Sequence, residues 1–467
     1  MRLGRIFLGL LVLILIAFGG FVAYAWKSEI PAQAAQPPID PALRAKGEQM
    51  AAVGNCVTCH TAPGGKAFAG GLPLETPFGT IYSTNVTPDP ETGIGTWSEA
   101  AFARSMREGV DREGNHLYPA FPYDHFTLVR DEDNRALYAY LMSLPPVAAT
   151  TPANDLPFPL NQRLLVAGWK MLFFKPGAYQ PDDSRDAEWN RGRYLAEGLG
   201  HCGSCHTPRN ALGAEVADKS WDGAELEGWH AYAINEKSPA PVPWDKEKLA
   251  FYLANGFQQI HGVSRGTMAP VTTNLGVAAP DDVSALAAYV ADRMGTPSPE
   301  RVAKGEQALA RAEGANAATP ASNAPSADSQ TVPSTASARG QAIYQSACAS
   351  CHESGRALPH GGLNFNLSTA VNAPSPQNII NVTLYGLPAP EGEGGAIMPG
   401  FAGALDKGQL TDLIAYLRDE FSDQPAWSDL PQRVEDTMSG KTRVPLYRSD
   451  GTAAAPSDSS VRTTPWL

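Results

Sequence analysis

The sequence predicts an all-α protein: three small helical domains in tandem behind one N-terminal membrane helix. Three observations predict it. All six cysteines of the 467-residue chain fall in C-x-x-C-H pentads, Cys56–His60, Cys202–His206 and Cys348–His352, and successive pentads begin 146 residues apart. A short glycine-containing helical segment precedes each pentad (Arg44–Met50, Arg191–Glu197, Arg339–Ser346), and a helix of one type closes each repeat. Residues Ile6–Trp26 form an uncharged apolar run.

The closing helices contain Leu137-Tyr138-Ala139-Tyr140-Leu141, Leu286-Ala287-Ala288-Tyr289-Val290 and Leu413-Ile414-Ala415-Tyr416-Leu417. Leu410, Leu413, Ile414 and Leu417 recur at i, i+3, i+4 and i+7, the period of a buried helix face, so their aromatics read as core. The chain then divides into a membrane segment (6–26), a first domain (40–145), a connecting segment (146–186), a second domain (187–295), a flexible linker (296–338), a third domain (339–422) and a tail (423–467). The linker rests on an Ala/Ser/Pro/Thr-rich stretch from Ala312 to Ala338, a composition that builds no core. The connecting segment, with Trp169, Phe173 and Phe174, reads as structured. Gly64-Gly65 and Gly392–Gly395 read as loops, and the tail after Trp427 carries no recognisable chemistry.

C-x-x-C-H is the attachment signature of c-type haem. Two thiols add across the haem vinyl groups, and the adjacent histidine ligates iron from one side. A zinc site needs a second nearby ligand pair, and a disulfide framework needs cysteines outside the pentads. No cysteine is left over. The residues therefore point to three covalent haems on Cys56 and Cys59, Cys202 and Cys205, and Cys348 and Cys351, with His60, His206 and His352 as proximal ligands.

The twenty-one residues Ile6–Trp26 would span roughly 30 Å as a helix, about the thickness of a hydrocarbon core. Arg2 and Arg5 before the run favour a cytoplasmic N-terminus, which leaves the body outside the inner membrane, on the periplasmic face. A cleaved signal with Ala32-Gln33-Ala34 as its small-residue site is the competing reading; the length of the run favours a retained anchor. A net charge of −12 argues against nucleic acid and suits a face that meets redox partners.

A methionine sulfur is a common second axial ligand and raises the reduction potential. Counting back from the closing helices finds Met268 in Thr267-Met268-Ala269-Pro270 and Met398 in Ile397-Met398-Pro399-Gly400, each with a proline within two residues that would fix an extended loop over the haem. In the first repeat the equivalent slot holds Phe121, which cannot ligate iron. His125 is the expected ligand there, ahead of His116 and Met106, with a vacant position as the rival. His201, His230, His261 and His360 read as surface or structural residues.

These residues resemble the trihaem cytochrome c subunits of bacterial membrane-bound dehydrogenases. The likeness covers residues 40–430 and rests on the three pentads, Leu117–Tyr123, Asp131-Glu132-Asp133, Cys202–Pro208 and Ile397–Gly403. It implies three tandem cytochrome c domains that take electrons from a catalytic dehydrogenase subunit, accompanied in some branches by a small iron–sulfur subunit, and pass them to ubiquinone. Partners in the family are quinoprotein alcohol dehydrogenases, flavoprotein sugar dehydrogenases and molybdenum hydroxylases of aldehydes or N-heterocycles. Phe121 followed by Asp124-His125-Phe126, and Asn366–Pro374 in the third repeat, look closest to the molybdenum branch.

No P-loop, dinucleotide fingerprint or further metal cluster stands outside the pentads, so the chain reads as an electron-transfer subunit with no substrate chemistry of its own. Two readings compete. One is a peroxidase-like enzyme using an open first haem, which would bind carbon monoxide; the other is a cytochrome feeding a terminal oxidase.

Overall fold

The computed structural model describes residues 2–34, 38–318, 335–388, 396–447 and Ala453. Gly392–Gly395 lie outside the described residues. Two compact units form, one of Met1–Asp182 with Glu197–His201, the other of Asp183–Ala196 with Cys202–Leu467.

In the first unit, α1 (Arg2–Ala25) includes a 23-residue apolar stretch, Leu3–Ala25, mostly exposed and long enough to cross a membrane. Helix α2 (Pro41–Val53) starts where the Asp40 carboxylate caps Ala42 N–H and Pro41 takes the first position, which needs no N–H. The first pentad follows on α3 (Cys56–Cys59), then a β1 (Pro73–Thr76)–β2 (Gly79–Tyr82) hairpin. Helix α4 (Glu99–Glu108) is capped by Ser98 and stopped by Gly109, whose φ of +61° is left-handed. Next come α5 (Tyr123–Phe126) and α6 (Asp131–Met142); three acids in the first turn of α6 suit its positive end. In the connecting segment, α7 (Leu164–Phe173) lays Trp169 on the Tyr123 ring, and Phe174 after it packs on the same ring.

The second unit holds the other two repeats. One runs through α8 (Ala187–Tyr194), the pentad on α9 (Gly203–His206), the β3 (Ala224–Leu226)–β4 (Trp229–Ala231) hairpin, α10 (Lys246–Asn255), the β5 (Phe257–Gln258)–β6 (Gly262–Val263) hairpin, α11 (Met268–Leu275) and α12 (Pro280–Met294). After α13 (Pro299–Ala318) the other runs through α14 (Ala336–Ala347), the pentad turn α15 (Ala349–His352), α16 (Thr369–Asn372), α17 (Gln377–Tyr385), the β7 (Leu387–Pro388)–β8 (Ala396–Met398) hairpin, α18 (Lys407–Phe421) and α19 (Leu430–Met438). Leu410, Leu413, Ile414 and Leu417 sit at the centre of the last core, each at most 2% exposed.

One crossing recurs three times: α2 on α6, α8 on α12, and α14 on α18. A Cβ on Gly47 would fall 1.9 Å from Ala136 O, on Gly192 1.9 Å from Ala285 O, and on Gly340 2.3 Å from Asp412 O. The backbones touch there, with Tyr140, Tyr289 and Tyr416 beside each glycine. The residue before each glycine is a cation that meets an aspartate of the closing helix: Lys46–Asp133 at 2.6 Å, Arg191–Asp282 at 2.7 Å and Arg339–Asp412 at 2.6 Å.

Two expectations need correction. The fold is helical but adds four two-stranded antiparallel hairpins among the described residues. The linker expected over 296–338 begins instead with the helix α13, which buries Ala308 and Ala312 against Val242 and Leu367; alanine is the best helix former as well as a linker residue. In the tail, α19 packs on α18, and the Pro445 carbonyl accepts the Trp229 indole N–H.

Candidate haem sites

Each pentad occupies about one helical turn, which brings its two thiols to the same face with the histidine at the end of the turn. The three imidazoles share one arrangement. His60 Nδ1 lies 2.7 Å from Thr84 O, His206 Nδ1 2.6 Å from Tyr232 O, and His352 Nδ1 2.7 Å from Leu363 O. A ring nitrogen that faces a carbonyl carries the proton, so Nδ1–H donates and Nε2 is the basic nitrogen, as in metal-ligating histidines generally. Burial lowers the affinity of all three rings for a second proton, partly opposed by the carbonyl bond. Neutral imidazole is the form that binds metal.

Burial also pushes the Cys56 and Cys348 thiols up to about 12, and none of the six cysteines is in a disulfide. Two reduced thiols and one oriented, neutral imidazole on each turn fit haem c. The carbonyls of Thr84, Tyr232 and Leu363 were invisible in the sequence, because a backbone acceptor has no residue signature.

The distal candidates differ in setting. Met398 ends the extended strand β8 opposite Leu387. Met268, expected in an extended loop, instead opens α11, with Pro270 in the first turn, where a missing N–H is harmless. Phe121 packs edge-on against Phe126, with centroids 5.2 Å apart.

His125 on α5 holds its Nδ1 2.8 Å from Glu197 O, the same bond that marks the proximal rings. His201 makes a similar bond to Leu199 O at 2.8 Å and meets the Phe126 ring edge-on. Both nitrogens of His116 are engaged: Nε2 bonds Ala25 O at 2.7 Å, and Nδ1 accepts from Lys170 Nζ at 3.0 Å. That leaves His116 no lone pair for iron. Met106 is buried on α4. His230 lies 3.3 Å from Glu225, His261 stacks on Trp244 at 3.6 Å, and His360 is exposed.

A cytochrome c family model matches residues 44–145, and a model of the cbb3-type cytochrome c oxidase subunit III matches residues 335–417. The chain is 45% identical over 419 residues to a nicotinate dehydrogenase subunit from Pseudomonas putida, covering 88% of this chain and 33% of that protein. It thus spans about a third of that relative's length. The gluconate 2-dehydrogenase cytochrome c subunit of Pantoea cypripedii is 36% identical over 403 residues, 81% of this chain and 85% of the relative. For the fructose dehydrogenase cytochrome subunit of Gluconobacter japonicus the figures are 33% over 434 residues, 90% and 86%. Cytochrome c domains bind haem c covalently, and the cysteine pairs for it are present. Matched over most of its length by two such subunits and built on their haem-binding pentads, the chain belongs to the cytochrome c subunits of membrane-bound dehydrogenases.

Proposed function

We propose that the chain carries three covalent haems and passes electrons from a catalytic dehydrogenase subunit to membrane ubiquinone. The threefold recurrence of one arrangement carries the reading: a pentad on one turn, Nδ1 held by a backbone carbonyl, and a neutral Nε2 for the metal. Bound haem c supplies a one-electron ferric/ferrous couple. The six cysteines would attach the haems, His60, His206 and His352 would each offer Nε2 to an iron, and Met268, Met398 and His125 would supply the further ligand in the second, third and first repeats.

The partner is a molybdenum hydroxylase of an N-heterocycle or aldehyde, with a small iron–sulfur subunit between. The relative named for nicotinate, an N-heterocyclic acid, supports this at 45% identity. The relatives named for gluconate and fructose support the second reading, a flavoprotein or quinoprotein partner.

Helix α1 anchors the chain in the bacterial inner membrane with the haem domains in the periplasm. Two features support that placement: Arg2 and Arg5 at the N-terminal end, and the helix α7. Gly168 of α7 lies against Phe21 of α1, and Leu164, Leu165, Met171 and Leu172 on α7 are exposed apolar residues beside the anchor.

A pyridine haemochrome assay should return three haems per chain, none released by acid-acetone. Native membranes should yield the chain with a molybdopterin subunit. A count of two removes one repeat from the proposal, and a co-purifying flavoprotein or quinoprotein selects the second reading.

A further inference from the structure

We infer that Asn378 and Asn381, with Gln259 acting in the opposite direction, are positioning residues that clamp the second and third repeats at the segments orienting their proximal histidines. The inference rests on the haem-carrying reading above.

The carbonyl that fixes His206 belongs to Tyr232, the residue after β4. One edge of β4 pairs with β3. On its other edge the third repeat supplies side chains in place of a strand. Asn378 Oδ1 accepts from His230 N–H at 2.8 Å, and Asn378 Nδ2 donates to His230 O at 2.8 Å. One turn along α17, the fully buried Asn381 donates to Gly228 O at 2.7 Å. Asn381 is itself fixed by Gln377 at 2.9 Å, and Gln377 by Thr437 of α19 at 3.0 Å.

The second repeat returns the grip. Gln259, in the β5–β6 turn, donates to Leu358 O at 3.0 Å and accepts from Leu358 N–H at 2.9 Å. Leu358 lies in the loop that ends at Leu363, whose carbonyl fixes His352. A Cβ on Gly262 would meet the Leu363 side chain at 3.2 Å, so the hairpin and the loop are in direct contact.

Each repeat therefore holds, through a carboxamide that both donates and accepts, the backbone that orients the other's ligand. A carboxamide is needed for this, because a carboxylate cannot donate and an alcohol cannot satisfy both backbone groups at that span. Such a clamp fixes two imidazoles relative to each other, and electron transfer between their irons depends steeply on that separation. It also ties the basicity of each ligand, and hence its potential, to the neighbouring repeat.

The test uses the full-length holo-protein. Asn378→Asp keeps the acceptor for His230 N–H but sets a carboxylate against His230 O; Asn381→Leu keeps volume and removes the bond to Gly228 O. In the double variant, amide hydrogen exchange across 228–232 should rise at least tenfold. Redistribution of electrons among the haems after flash reduction should slow at least tenfold, with three haems and unchanged visible bands. Gln259→Ala removes both bonds to the Leu358 backbone and should speed exchange at Leu358 with a smaller slowing. If exchange rises and redistribution keeps its wild-type rate, or if neither changes, the clamp is overturned while the electron-carrier reading stands. Wild-type protein with haems that do not exchange electrons would instead overturn that reading.

Discussion

His125 and His201 both present an Nδ1 held by a carbonyl, and on the proposed reading one of them would complete the iron that His60 would hold. The choice falls on His125 because it follows the Phe121 slot on the short helix α5. A second imidazole favours ferric iron more than a thioether does, so the first haem should have the lowest potential of the three. His125→Ala should erase a bis-histidine signal from the electron paramagnetic resonance spectrum while leaving three attached haems, and His201→Ala should leave the signal intact. The reverse pattern would transfer the ligand to His201, and a wild-type protein that binds carbon monoxide would leave the site open. His261 offers a residue-scale test of a different kind. Its ring is 7% exposed and stacked on Trp244, and burial, aided by nearby Lys248 and opposed by Asp245, pulls its pKa down to about 3. The unfolded chain takes up that proton near 6.5, so between pH 6.5 and 3 it binds more protons than the native state, and stability falls as pH falls. His261→Phe keeps a stacking ring and removes the titrating group, so its acid-unfolding midpoint should move to lower pH. An unchanged midpoint would mean that the ring does not titrate on unfolding.

At the scale of elements, the helix pair at each glycine is the unit that recurs. Gly340→Ala places a methyl 2.3 Å from Asp412 O, so α14 and α18 must separate, at a cost of about 1–3 kcal/mol for an overpacked contact. Its melting temperature should fall well below that of Gln345→Ala, an exposed change on the same helix; equal melting temperatures would mean the crossing yields easily. These pairs were legible in the sequence because two signals coincide there, a 3.6-residue apolar period and a small residue upstream of each pentad. Other elements gave no such coincidence. Ala308 and Ala312 lie four residues apart on the buried face of α13, yet alanine in a helix and alanine in a linker have the same composition. The strands of the hairpins are only two to four residues long, too short for an alternating pattern to stand out. The carbonyls that orient the three histidines come 24, 26 and 11 residues downstream, so no fixed spacing announces them, and any residue type could supply them. The helix start at Met268 was not legible, since Pro270 is compatible with either a loop or a first turn.

At the scale of the whole molecule, the N-terminal helix is joined to the first unit by more than the chain. His116, 4% exposed, gives its Nε2–H to Ala25 O at the end of α1. Its Nδ1 accepts from Lys170, whose ammonium also donates to Gly109 O at 2.7 Å. Arg104 donates to Ser28 O at 2.7 Å, Arg112 pairs with Glu29 at 2.9 Å, and Ile30 N–H donates to Arg112 O at 2.9 Å. A leader removed at Ala32-Gln33-Ala34 would take all of these partners with it. The buried His116 N–H would then lack its acceptor, a loss of about 1–3 kcal/mol, and two arginines would lose backbone carbonyls. These bonds support the proposed reading of α1 as a retained anchor. The protein purified from membranes should therefore give an intact mass that includes residues 2–34 together with its haems. Carbonate washing should leave it in the membrane fraction, and His116→Leu should lower the melting temperature of the first domain. A mature N-terminus beyond Ala34 would reverse the assignment and make α1 a signal sequence. In that case His116→Leu should cost less, because the carbonyl it serves would already be gone and only the bond from Lys170 would be lost.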